Sequence, residues 1–145
     1  MKKVTTKILY FFIFLSFACT NDPDCDNSEF HNGISINATI ANADDVLFDS
    51  IEYLTSGFRV ADITTSQFDI WVNPDAGTST FVFHDQHDID TLSVSYTKTP
   101  EVVSTDCGAI LRYADLVIIR STFDSAVLIS KTLSRRIDTN IEIYD

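Results

Sequence analysis

The sequence predicts an all-β domain: a single two-sheet sandwich, immunoglobulin-like or transthyretin-like, of about seven to eight strands. Three observations lead there. Apolar and polar residues alternate with a period of two along much of the chain after Gly33, the mark of strands with one buried face. Turn signals separate the alternating runs: Asn73-Pro74-Asp75-Ala76-Gly77, Thr99-Pro100 and Cys107-Gly108. The stretch 33–145 is long enough for one hydrophobic core and too short for two.

Taken in order, residues 1–18 read as a lipoprotein signal peptide. Lys2, Lys3 and Lys7 precede an apolar run from Ile8 to Ala18, and Cys19 follows at once. The run is too short to span a bilayer core as a helix, which needs about 20 residues. Leu15-Ser16-Phe17-Ala18-Cys19 fits a relaxed lipidation box with the small Ala18 before the cysteine. The alternative is an ordinary secretory signal cleaved near Ala18. Residues 19–32 then form the lipidated Cys19 and an acidic tether, with Asp22, Asp24, Asp26 and Glu29.

The domain, 33–145, opens with Ile34, Ile36, Ala38 and Ile40 alternating with Ser35, Asn37 and Thr39. Asp45 to Gly57 admits a capped helix or a strand, and its β-branched and aromatic residues favour the strand. Phe68, Ile70 and Val72 form the next alternating set, then Phe81 and Phe83, then Leu92, Val94 and Tyr96. Leu116-Val117-Ile118-Ile119 is continuously apolar and is expected to be a strand covered on both faces. Ile141 and Ile143 close the chain as a short strand.

Charge and cysteines bound the function. Cleavage before Cys19 removes three lysines, leaving seven Lys and Arg against 21 Asp and Glu, a net charge of −14. So acidic a chain is not a nucleic-acid binder and does not hold anionic headgroups by charge. Attachment to a membrane therefore rests on acyl chains such as palmitate at Cys19. Three cysteines occur. With Cys19 lipidated, Cys25 and Cys107 remain, either as a disulfide in an oxidising compartment or as two free thiols. A loop of that length, once closed, stabilises by roughly 4 kcal/mol in the chain-entropy model.

The order of motifs carries a resemblance. Asn73-Pro74 with Thr80-Phe81-Val82-Phe83 is followed by Asp90-Thr91-Leu92-Ser93-Val94-Ser95-Tyr96. Ser104-Thr105-Asp106-Cys107-Gly108 and a terminal Ile141-Glu142-Ile143-Tyr144 come after it. From Phe68 to Asp145 this resembles a family of small Bacteroidota lipoproteins catalogued only as a domain of unknown function. The resemblance implies an all-β lipoprotein, no defined activity, and an early cysteine, matched by Cys25, that supports pairing with Cys107.

Candidate sites are few. His84-Asp85-Gln86-His87-Asp88-Ile89-Asp90 is the densest group of ligand-type side chains, and His84, Asp85, His87 and Asp88 are the candidate metal ligands. Lying between two strands, the segment reads more simply as a polar hairpin loop. No G-x-S-x-G, phosphate loop, H-E-x-x-H or calcium loop occurs. No catalytic residue and no cofactor are therefore expected. Trp71, the sole tryptophan, is expected to pack in the core or at an edge; exposed beside tyrosines it would make a carbohydrate- or partner-binding platform. Asp49-Ser50-Ile51, Asp90-Thr91-Leu92 and Asp124-Ser125-Ala126 resemble the triplets that Bacteroidota O-glycosylate.

The expected function is that of a non-enzymatic envelope lipoprotein. It would be anchored through Cys19 to the outer membrane, because Thr20 is not the aspartate that favours inner-membrane retention. Its job would be to bind an envelope protein or a glycan. The alternative is a metal-dependent or hydrolytic envelope enzyme centred on the His84–Asp90 loop.

Overall fold

The computed structural model describes residues 32–39, 47–86, 88–104, 108–133 and 139–145. Cys19, Cys25, Cys107 and His87 lie outside the described residues. Among those described there is no helix, and nine strands form two sheets. The first sheet has the order β4-β1-β9-β8, built from β4 (Gln67–Trp71), β1 (Gly33–Thr39), β9 (Ile141–Tyr144) and β8 (Ser125–Leu128). The second has the order β3-β2-β5-β6-β7, built from β3 (Phe58–Ile63), β2 (Phe48–Tyr53), β5 (Thr78–His84), β6 (Ile89–Ser104) and β7 (Gly108–Ser121).

Neighbours are antiparallel except β1 and β9, which run parallel with Ile36 opposite Ile141. The all-β sandwich predicted by alternation is what forms, with nine strands against the seven to eight expected; β3 and β8 are not among the alternating runs. Strands one and two lie in opposite sheets, unlike the constant-type immunoglobulin order, where they share one.

The inner faces supply one core. Ile34, Ile36, Ile70, Ile141 and Ile143 from the first sheet meet Ile51, Phe81, Phe83, Leu92 and Val94 from the second, all essentially fully buried. Phe48, Phe68, Phe83 and Phe123 form an aromatic group, with Phe83 5.1 Å from both Phe48 and Phe123. In β2, Phe48 is buried together with Ile51 and Tyr53, against strict alternation. On β3, Asp62, next to the residue that pairs with Phe48, takes a φ of 57°. A left-handed residue there interrupts the pleat, and Ile63, paired with Phe48, also packs on the core. The 47–57 segment is thus a strand followed by a tight turn, not a helix.

The expectation for Leu116-Val117-Ile118-Ile119 is corrected. β7 is the edge of its sheet, and while Leu116 is buried, Val117 and Ile119 are exposed. The pairing of β6 with β7 shifts register between Ser93 and Val94 and between Ser95 and Thr97, and Asp115 takes a φ of 53°. At these bulges Leu116 drops out of the ladder with β6, and its amide donates instead to the carbonyl of Lys131, in the segment after β8, at 3.0 Å. Beyond Ser95, β6 pairs only with β7, so residues 97–104 and 108–114 form a two-stranded arm. The arm is held on its exposed face by an Arg112–Glu101 ion pair.

Candidate functional site

Tyr53 ends β2, Trp71 ends β4, Asn32 precedes β1 and Thr78 begins β5, so the antiparallel pairings bring all four to one end of the sandwich. A cavity of about 240 Å³ opens there. It lies just below the size range typical of small-molecule sites, roughly 300–1,000 Å³. Its floor is Tyr53, Val72, Ser79 and Phe81, all buried; its rim is Thr55, Ser56, Phe58 and Trp71, all exposed. Trp71, 48 % exposed, stands at an edge strand with its ring available, not in the core.

The rim is set by the turn after β2. Ser56 and Gly57 both donate to the Tyr53 carbonyl, and Gly57 takes a φ of 66°, which costs glycine little and would strain another residue. That turn delivers Phe58 edge-on to Tyr53 at 5.6 Å, while Phe81 packs on the other side at 5.2 Å. The opposite wall is the Asn73–Gly77 turn. The Asn73 side chain accepts from the Asp75 amide, and the Asn73 amide donates to Ser79 Oγ. The Asn73 carbonyl accepts from the Tyr96 hydroxyl at 2.6 Å, and Lys98 donates to the Pro74 carbonyl. Burial pushes the Tyr96 hydroxyl above 10.0, against the lowering effect of its bond to Ser79. So many cross-ties leave the wall pre-organised.

Two polar atoms at this cavity are buried without a hydrogen-bond partner: the Tyr53 hydroxyl and Asn32 Oδ1. Burial raises the Tyr53 pKa above 10.0; the adjacent Trp71 backbone offsets part of this without reaching hydrogen-bond geometry. Asn32 is oriented by its Nδ2, which donates to the Val72 carbonyl, and by its own carbonyl, which accepts from the Val72 amide.

The candidate metal loop lies at the other end of β5. His84 Nε2 is 3.7 Å from Glu52 Oε2. Asp85 accepts from the Asp88 amide, a bond that closes the loop. Asp90 accepts from Thr122 Oγ1 at 2.7 Å. Asp145 joins this acidic end, its carboxyl held above 3.8 by burial and then by Asp90, Asp124, Asp85 and Asp88. Among the described residues no three His, Cys, Asp or Glu side chains converge as a metal site would require. Of the three glycosylation-like triplets, Ser50 is buried and Ser125 is exposed.

Trp71 was the one cavity residue that the sequence marked as a candidate binding residue; Val72, Asn73, Pro74, Thr80 and Phe81 were marked only as strand, turn or motif residues. Tyr53, Asn32 and Phe58 carry no motif, because they come from separate segments that only the strand pairing assembles. A model of a family of unknown function, DUF6452, matches residues 34–145. No curated protein matches the chain, and no solved structure does.

Proposed function

Since the chain belongs to DUF6452, a family of unknown function, and membership brings no activity with it, we propose from its own residues that it is a non-enzymatic binding module of the cell envelope. Lipidated Cys19 holds it at the outer membrane, and the sandwich presents the Trp71 cavity to an envelope protein or glycan. The observation that carries the reading is that cavity: aromatic, rigidly walled, and holding a buried hydroxyl with no partner. Its position agrees with the anchor. Asn32, at the cavity, is where the tether joins the domain. Residues 20–31 span at most about 40 Å when extended, so the cavity end stays near the membrane.

Replacing Cys19→Ser is expected to move the protein from the membrane pellet to the soluble fraction and to abolish palmitate incorporation, because so acidic a domain is not held at anionic headgroups by charge. Unchanged membrane partition would end the lipoprotein reading.

A Cys25–Cys107 disulfide fits the same layout. Cys25 lies seven residues before Asn32, a reach of at most about 25 Å. Cys107 falls between Ser104 and Gly108, the outer ends of the β6–β7 arm, which leaves the sandwich at the cavity end after Tyr96 and extends about 25 Å from it. Non-reducing peptide mapping should find the two cysteines in one linked peptide pair; recovery of both as alkylated thiols would refute the bond.

A further inference from the structure

We propose that residues 25–31 of the tether lie along the inner face of the β6–β7 arm, so that the lipid anchor leaves the domain at the arm tip. The assignment deepens the anchored-module reading above and rests on it for where the tether begins. The core-facing side of β6 and β7 does not stop at the end of the sandwich. Tyr96 and Tyr113 are buried there with ring centroids 5.9 Å apart. Beyond them the same side of the arm carries Lys98 opposite Tyr113, Pro100 opposite Leu111 and Val102 opposite Ala109. Thr97, Thr99, Glu101 and Arg112 take the other side. The arm thus keeps the apolar-in, polar-out pattern of a covered strand pair, yet Val102 is 74 % and Leu111 44 % exposed. A two-stranded ribbon with a bare apolar face is marginal in water, so this face has an occupant.

The path of the chain selects the tether. β1 enters the first sheet at Gly33, opposite Trp71, and the Asn32 carbonyl accepts from the Val72 amide. The preceding chain therefore leaves the first sheet at the end where the arm leaves the second, across the spacing of about 10 Å between packed sheets. Cys25 lies seven residues before Asn32, a reach of about 25 Å when extended, which is the length of the arm. Phe30 is the tether's one aromatic side chain, and Pro100 and Leu111 are the apolar surface nearest its exit. Asp26 and Glu29 are opposite in charge to Lys98, the one charged side chain on the inner side of the arm. The connection 134–138 is closed between buried Leu133 and buried Asn140 and is too short to reach Val102. A second copy would bring two chains of net charge −14 together, whereas the tether competes at an effective concentration on the order of millimolar. Cys19, six residues beyond Cys25, then emerges within about 20 Å of the arm tip, and the arm sets how far the cavity end stands from the membrane.

The test is amide hydrogen exchange on the mature lipidated chain in phosphatidylcholine vesicles, read on peptides covering 97–104 and 108–114. Slow exchange of the arm is expected in the unaltered protein. Phe30→Ser and Leu111→Ser should each speed it about tenfold, the lower end for uncovering a large apolar side chain, with β1 and β5 unchanged. Both remove the same contact, so the double variant should be little faster than either single one. Effects that multiply in the double variant show that the two side chains do not touch and overturn the proposal, as does fast exchange of the arm in the unaltered protein. Protection that grows with protein concentration and ignores Phe30→Ser gives the face to a second copy; protection lost in a Cys19→Ser chain free of vesicles gives it to the bilayer. Either result also overturns the docked tether. Unchanged membrane partition of Cys19→Ser ends the lipoprotein reading without touching the Phe30–Leu111 coupling. That coupling is expected to persist in a Cys25→Ser/Cys107→Ser chain. Coupling with both native cysteines recovered as thiols refutes the disulfide and leaves the docked tether standing; linked cysteines without coupling do the reverse.

Discussion

Asn140→Ala is expected to cost about 2–4 kcal/mol of stability, although it deletes only a small polar side chain, because the buried Ser35 amide loses its partner at roughly 1–3 kcal/mol and the partly buried bonds to the Ser130 and Thr132 carbonyls are lost as well. Asn140 is fully buried just ahead of β9. Its Oδ1 accepts from the Ser35 amide at 2.9 Å, and its backbone amide donates to the Ser35 carbonyl at 2.8 Å. Both contacts fall one residue before the parallel β1/β9 pairing begins at Ile36 and Ile141, so the side chain supplies a rung that the backbone alone does not. Its Nδ2 donates to the Thr132 carbonyl at 2.8 Å and the Ser130 carbonyl at 3.3 Å, tying down the segment after β8. Chemical denaturation should show the midpoint falling with little change in slope.

Asn140→Asp is the sharper variant. It keeps an acceptor for Ser35 but turns a carboxylate oxygen toward two carbonyls. Ionisation is then opposed by burial and by those dipoles, so the folded pKa of the new carboxyl rises above its unfolded value. Stability is retained where the group is protonated and is lost as pH rises through that raised pKa. A variant as stable at pH 7 as at pH 4 would show that the amide's donors are dispensable.

The strands best marked in the sequence were those whose inner faces are completely covered. Ile34 and Ile36, Leu92 and Val94, and Ile141 and Ile143 are buried to within 1 %, so selection of apolar residues at alternate positions is strict. β3 and β8 are edge strands with few buried side chains, and β3 carries Arg59 and Asp62 where a core strand would carry apolar residues. Their pattern is weak because little of either strand is covered. The opposite error arose at Val117 and Ile119, apolar but exposed on β7: hydrophobicity without alternation does not say whether a second layer exists. The cavity was legible only at Trp71, since unpartnered atoms such as Tyr53 Oη are a property of assembly and leave no trace in residue type.

Phe83→Ala is expected to cost about 3–5 kcal/mol, the usual range for truncating a buried phenylalanine, against a total stability of about 5–15 kcal/mol for a domain. Phe83 is 1 % exposed and stacks with Phe48 and Phe123 at 5.1 Å and with Phe68 at 6.5 Å. Those partners come from β2, the β7–β8 corner and β4, so the ring joins both sheets. Aromatic pairs add about 0.5–1.5 kcal/mol beyond the area they bury, and a rigid cluster collapses poorly around a void. Phe83→Leu, which fills much of that void, should cost less than half as much. The position separates stability from binding. Phe83 lies toward the His84 end of β5, whereas the cavity sits at the Thr78 end with Phe81 in its floor. Under conditions where the variant remains folded, its ligand affinity should therefore match that of the unaltered protein. A large loss of affinity with intact folding would mean that the two ends of the core are coupled, and a stability loss below about 1 kcal/mol would mean that the aromatic group repacks without a cavity.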